Sequence, residues 1–272
     1  MINCDLSIER IAIIVAMENE SKPIVDQLKM KQVDSRHLGF NPKLCLEVFH
    51  ATIRNRDVFL VTNGKDLAHG VDRVSTQPAA LTTYATIVAL KPDTIISAGT
   101  AGGLKDSQIG DVYVSDSPIV YFDRVIRLPK FEEYGVGYFN YLSVLSLAKA
   151  SGLKLGKVAT GSSLDPSSRD LSELERLKAD VVDMEAASVA EVAQRLEVRM
   201  IAIKSVTNFL NKELHTDFLK NYEIAVKNLA ERVSLLIPCI LGRKPSELSS
   251  ISSENMSKLK INPEKNKLRS RL

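Results

Sequence analysis

Tryptophan is absent from the 272 residues, aromatics make up only 6%, and there are just three cysteines and four histidines. Each scarcity excludes something. Cys4, Cys45 and Cys239 are odd in number and far apart, so they set out neither a disulfide framework nor a metal-ligand cluster. His37, His50, His69 and His215 show no pairing at metal-ligand spacing, so neither a metal nor another cofactor is expected. No apolar run approaches the roughly 20 residues of a membrane span. The N-terminus also lacks the basic-then-apolar pattern of a secretory signal. A soluble chain in a reducing compartment, the cytoplasm, is the expectation.

Acidic charge is scarce in one region only. From Gly242 onward eight Lys and Arg face three Glu, a tail of +5 within a net charge of +3, which leaves the body at −2. A slightly acidic body offers no electrostatic reason for a nucleic-acid partner. With 44% apolar and 25% charged residues the chain can bury one large core. Residues 1–241 therefore read as one domain and 242–272 as a basic, disordered tail. The tail ends in Ser270-Arg271-Leu272, which resembles the Ser-Lys-Leu type of peroxisomal address, an alternative to the cytoplasm in a eukaryote.

What is present is a series of short β-branched runs separated by helical patterns. Strands are expected at 11–16, 44–53, 58–62, 94–98, 112–114, 157–160, 181–184 and 200–206. Helices are expected at 18–30, with Pro23 in the first turn, and at 71–90, interrupted at Pro78. Others are read at 141–150, 171–178, 185–196 and 216–236. Alternation of this kind points to a three-layer α/β/α sandwich with a central, mostly parallel twisted sheet.

Four segments fall at the carboxyl ends of these strands, where open α/β sheets place ligands. They are Ala16-Met17-Glu18-Asn19-Glu20, Gly99-Thr100-Ala101-Gly102-Gly103, Val182-Asp183-Met184-Glu185-Ala186-Ala187 and Ser205-Val206-Thr207-Asn208. Taken singly each has a bland explanation: a tight turn for the glycines, or a partner for a helix dipole in the case of Glu18, Glu20 and Glu185. Together they would converge on one crevice.

Ala16-Met17-x-x-Glu20, Ala98-Gly99-Thr100-x-Gly102-Gly103 and Asp183-Met184-Glu185-Ala186-Ala187 resemble motifs of the 5′-methylthioadenosine/S-adenosylhomocysteine nucleosidases. Plant-type members are the most similar, through residues 69–91 and Tyr134-Gly135-Val136-Gly137, and the likeness spans 11–248. The resemblance implies a nucleoside phosphorylase-like fold, a homodimer, and a small purine nucleoside as substrate. It assigns Glu20 as the general base acting on water and Thr100 as a holder of that water and the sugar. Met184 would pack under the ribose, Glu185 would accept from its 2′- and 3′-hydroxyls, and Leu164 would offer main-chain contacts to adenine. Apolar residues around Phe131 and Tyr134 would line the slot for the 5′-thioalkyl group, and with Phe122 they would otherwise form an exposed patch. Those roles suit the chemistry, since N-glycoside cleavage builds positive charge on the sugar, which carboxylates stabilise.

Two positions depart from relatives. Related phosphorylases grip phosphate with an Arg three residues before the position of Thr100; Ser97 stands there and cannot replace a guanidinium, which favours hydrolysis. The family's general acid is an Asp, whereas this chain has Asn208. An amide donates a hydrogen bond but delivers no proton. Three outcomes stay open on the residues alone: a slow nucleosidase or one that recruits another acid, a shift to 6-oxopurine nucleosides, and a binding or storage homologue without turnover. Asp217 lies nearby in sequence only.

Overall fold

Strand β1 (Arg10–Val15) buries both of its faces, as its continuous apolar run requires. Ile11, Ile13 and Val15 join one core cluster, Ala12 and Ile14 another, so a layer of helices must cover each side. The computed structural model describes residues 5–104, 106–210 and 214–250. After β1 come α1 (Glu18–Leu28), β2 (Lys31–Val33), the hairpin β3 (Val48–Ile53) and β4 (Arg56–Thr62), and a small ribbon of β5 (Lys65–Asp66) and β6 (Val71–Asp72). The middle holds α2 (Thr76–Leu90), β7 (Thr94–Gly103), β8 (Val112–Ser115), β9 (Val120–Tyr121), α3 (Phe131–Val136) and α4 (Leu145–Ala150). The last part runs β10 (Lys154–Gly156), β11 (Val158–Thr160), α5 (Ser168–Leu177), β12 (Val181–Asp183), α6 (Ala186–Arg195), β13 (Arg199–Phe209), α7 (Leu214–Ile240) and α8 (Pro245–Ser250).

The sheet order is β10-β8-β13-β7-β1-β4-β3-β2. Its centre, β13-β7-β1-β4, is parallel throughout, with Ile13 beside both Leu60 and Ile96, and Ile96 beside Ile201. Antiparallel pairings bring in β8, β3 and β2 at the sides, and β12 across the end of β7. Ile24 and Leu28 of α1 and Leu229, Val233 and Leu236 of α7 cover one face. Ala79, Ile87 and Leu90 of α2 with Val189, Ala190 and Ala193 of α6 cover the other. This is the expected three-layer α/β/α architecture.

Several local expectations need correction. Pro23 is the sixth residue of α1, past the first turn, and the helix continues through it because Ile24 and Leu28 are anchored in the core. Residues 71–72 form a ribbon strand, so α2 starts only at Thr76 and Pro78 falls in its first turn, where its missing N–H costs nothing. The glycine run is no turn: β7 carries straight through it to Gly103. Residues 242–250, read as tail, pack on the body here. Ile8 and Gly242 exchange main-chain bonds with this segment, Gly242 N donating to Ile8 O at 2.7 Å and Ile8 N to Arg243 O at 2.9 Å, and Leu248 of α8 is fully buried. The remainder of the tail, 251–272, lies outside the described residues.

Candidate active site

Because β1, β7 and β13 are parallel, their carboxyl ends emerge along one edge. β12 arrives differently. It pairs antiparallel with β7, Val181 beside Gly103 and Val182 beside Gly102, so its carboxyl end runs back toward Thr100. That reversal brings Met184 and Glu185 to the segment after β1 and to Thr100 within β7. A Cβ on Gly103 would lie 2.7 Å from Ser107 Cβ and 2.8 Å from Val206 Cγ1, so no larger residue fits there against β13 and the loop after β7.

Glu20 sits in the first turn of α1 and is buried. Its Oε1 accepts from the Thr100 amide at 2.8 Å and from the Thr100 hydroxyl at 2.6 Å. Its Oε2 accepts from the Met17 amide at 3.3 Å, so the same carboxylate also caps its own helix. The dipole explanation and the site explanation therefore describe one residue doing both. Met17 lies against Tyr222 of α7, whose hydroxyl is 4.0 Å from its sulfur.

Glu185 is the N-cap of α6 and is partly buried beside the similarly buried Met184. Its Oε1 accepts from the Ser75 amide at 2.8 Å. Ser75 adopts φ 86° and ψ −179°, a conformation almost confined to glycine, and this aims its N–H at the carboxylate. Burial, and then the charge of Asp183, push the Glu185 carboxyl up to about 7; Lys204 and the Ser75 amide oppose the shift.

Beneath these groups lies a polar network that motif reading missed. Lys204 of β13 and Asp183 of β12 are fully buried and paired, Nζ to Oδ2 at 2.7 Å. Asp183 also accepts from the Ala186 amide at 2.8 Å and from the Thr160 hydroxyl at 2.5 Å, and Thr160 in turn accepts from the Ala187 amide at 2.9 Å. Asp183 and Thr160 thus cap α6 and fix the turn that carries Met184 and Glu185. A signal was available: one Lys inside Met-Ile-Ala-Ile-Lys-Ser-Val and one Asp after Val-Val are charges inside runs that must be buried.

Asn208 is buried near the end of β13, after a register shift, beside Gly102 of β7. Its Oδ1 accepts from the Thr207 hydroxyl at 2.7 Å. Ser97 is buried in mid-strand. Leu164 is 41% exposed on the loop after β11, the same loop whose Ser162 contacts Thr76 (Oγ to Oγ1, 2.9 Å) and accepts nothing from Asp123 but donates its amide to Asp123 Oδ2 at 2.7 Å. Phe131 and Tyr134 are exposed and stacked edge-on. Phe122 does not join them; it is buried against Gly161, which has no side chain to obstruct the ring. The side chain of Asp217 lies outside the described residues. A cavity of about 340 Å³ opens next to this loop, lined by Thr76, Tyr121, Asp123, Arg124, Ser162 and Ser188 among others.

Known proteins match this chain over most of its length. A family model of the phosphorylase superfamily matches residues 10–238. The chain is 38% identical over 245 residues to a 5′-methylthioadenosine/S-adenosylhomocysteine nucleosidase of Arabidopsis thaliana, covering 89% of this chain and 95% of that protein. It shares 36% identity and a TM-score of 0.85 with the apo structure of Arabidopsis thaliana 5′-methylthioadenosine nucleosidase, over 89% of this chain and 100% of that one. At 21% identity and a TM-score of 0.70, it shares the fold of an Asp-to-Asn mutant of the Helicobacter pylori nucleosidase with 5′-methylthioadenosine in the active site, covering 84% and 98% of the two chains. The chain therefore belongs to the phosphorylase superfamily and, within it, to the family of 5′-methylthioadenosine/S-adenosylhomocysteine nucleosidases.

Proposed function

We propose that the protein hydrolyses the N-glycosidic bond of 5′-methylthioadenosine to adenine and the thioribose, a step of methionine salvage. The observation that carries this reading is the joint placement of Glu20 on Thr100 and of Glu185 on Ser75 at one edge of the sheet. In this reading Glu20 polarises a water held with Thr100, and Glu185 accepts from the ribose hydroxyls above Met184. Both carboxylates face the sugar on which positive charge develops. Leu164 marks the loop that runs along the adenine edge, and Phe131 and Tyr134 belong to the 5′ end of the substrate. Hydrolysis is favoured over phosphorolysis because Ser97 is a buried neutral hydroxyl and Lys204 is committed to Asp183.

Asn208 sets the pace. With its oxygen taken up by Thr207, the amide nitrogen is the group left to hydrogen-bond N7 of the base. Replacing a general acid with such a donor typically costs on the order of 10²–10⁴ in rate, so turnover is expected to be slow. The working form is a cytoplasmic homodimer. Leu81, Tyr84 and Val88 form a stripe along the outer side of α2, each at least half exposed, that a second copy would cover.

The test is release of free base from 5′-methylthioadenosine, S-adenosylhomocysteine and inosine, each with and without phosphate. Phosphate-independent release of adenine supports the reading. Saturable binding of none of the three, or base release only with phosphate, overturns it.

A further inference from the structure

The buried Lys204 has no part in the reaction as described so far, yet it lies beneath every carboxylate of the site. Its side chain is 1% exposed and that of Asp183 is 0% exposed. Taking both out of water is costly, and such a pair persists only where geometry and further hydrogen bonds compensate. Here they do. Each Asp183 oxygen is engaged, one by Thr160 and the other by Ala186 and Lys204 together.

The ammonium also reaches toward the other side of the crevice. Lys204 is the strand neighbour of Gly99. A methyl group built on Gly99 would stand 3.4 Å from Lys204 Nζ and 3.5 Å from each Glu20 oxygen. The lysine and the base therefore face each other across a bare glycine. We propose that Lys204 is a positioning residue of this site, its ammonium paired with Asp183 on one side and facing Glu20 on the other, and so fixing the placement of Glu20 and both the placement and the charge of Glu185. The inference rests on the ribose and base roles assigned above.

The surroundings agree. Burial opposes the charge on Lys204, but Asp183 first, then Glu185 and Glu20, outweigh it and keep the ammonium protonated above its ordinary range. In return Lys204 holds down the Glu185 carboxyl, which burial, Asp183 and Glu20 push up. Among the described residues, the charged and titratable groups facing this cluster are few. β12 and its following turn supply Asp183 and Glu185, and α1 supplies Glu20. On β8, Tyr113 is the strand neighbour of Lys204, with its hydroxyl 3.1 Å from Ser107 Oγ. On α7, Tyr222 is kept neutral by burial and by the charges of Glu20 and Asp72.

Binding of 5′-methylthioadenosine, followed by calorimetry from pH 5 to 9, separates the possibilities without requiring turnover. In the unaltered protein affinity should rise as Glu185 ionises, with a midpoint near the value of about 7 given above. Lys204→Met should move that midpoint up by at least one pH unit and lower kcat at least tenfold, with Lys204→Arg restoring most of both. Asp183→Asn should move the midpoint the other way, because it removes the charge that raises Glu185 and leaves Lys204 unshared. Should Lys204→Met fail to fold, Lys204→Gln, polar but uncharged, is measured in its place with the same expected shift and loss. If the unaltered protein does not bind the nucleoside at all, the functional reading fails. If it binds but the midpoint stays put in the folded variants, Lys204 is structural only and the proposal is overturned.

Discussion

At Asn208 the side-chain oxygen is held by the Thr207 hydroxyl at 2.7 Å, and no proton can be handed on. Asn208→Asp is nearly isosteric and should leave the fold unchanged while raising adenine release from 5′-methylthioadenosine by about 10²-fold or more. The variant's rate should fall at high pH, as the new carboxyl group loses the proton it must give. Equal rates for the two proteins would mean that another group already supplies the acid. Glu185 poses the opposite problem, since its carboxyl is raised to about 7 and must be ionised to accept from ribose hydroxyls. Glu185→Gln should cost about 1–3 kcal/mol of nucleoside affinity, the scale of a charge-assisted hydrogen bond. The same residue bears on stability. Its folded-state pKa lies above the unfolded value, so the stabilisation is fully present below about 4.5 and is lost as pH rises through about 7. Thermal melts of the ligand-free protein should show that decline, and Glu185→Gln should flatten it; parallel curves for the two proteins would argue against a buried, protonated Glu185.

Among the elements, β7 decides whether the residues meet. Its glycines do not turn the chain. They let β13 and the loop after β7 approach closely, while β12 pairs antiparallel beside them and delivers Glu185 back toward Thr100. Gly103→Ala would press a methyl within 2.8 Å of Val206 and closer still to Ser107 Cβ. Overpacking of this kind costs typically about 1–3 kcal/mol. The expected result is a melting temperature several degrees lower together with weakened nucleoside binding, because Ser107 or Val206 must shift and Val206 lies on the strand that carries Asn208. If Gly103→Ala left both melting and binding unchanged, the end of β7 would not depend on that close approach.

On the scale of the whole molecule, the outer stripe of α2 is the feature that a monomer leaves unexplained. A helix that is apolar on its inner side and carries Leu81, Tyr84 and Val88 on its outer side is expected to be covered on both. Light scattering at micromolar concentration should return a mass near twice 30.0 kDa. Tyr84→Glu should shift it toward the monomer, since a buried unpaired charge at such an interface is strongly unfavourable. A monomeric unaltered protein would remove α2 as an interface.

Much of this molecule follows from its sequence alone. The β-branched run of β1 demanded a strand buried on both faces, and strands alternating with helices demanded layers, because apolar periodicity is a local property that every neighbour in the chain reports. The four segments that hold Glu20, Thr100, Met184, Glu185 and Asn208 were legible as short runs at strand ends, and the family resemblance singled out the residues within them. Sequence could not reveal what depends on contacts between distant segments. The pairing of Lys204 with Asp183 joins residues 21 positions apart, and the bond from the Ser75 amide to Glu185 spans 110. The charges of Lys204 and Asp183 stand out within apolar runs and Glu185 within its motif, but which group each one meets is decided only when the sheet places them opposite one another. The glycine run read as a turn because glycine's freedom is a local signal, whereas its actual use, close approach of Ser107, Val206 and Leu210, exists only once the sheet is assembled. Phe122 read as exposed and is buried for a like reason, since the bare backbone of Gly161 that receives it lies on another strand's loop. Periodicity fixed the layers; the charge, spacing and reach of the site were decided where those layers close on one another.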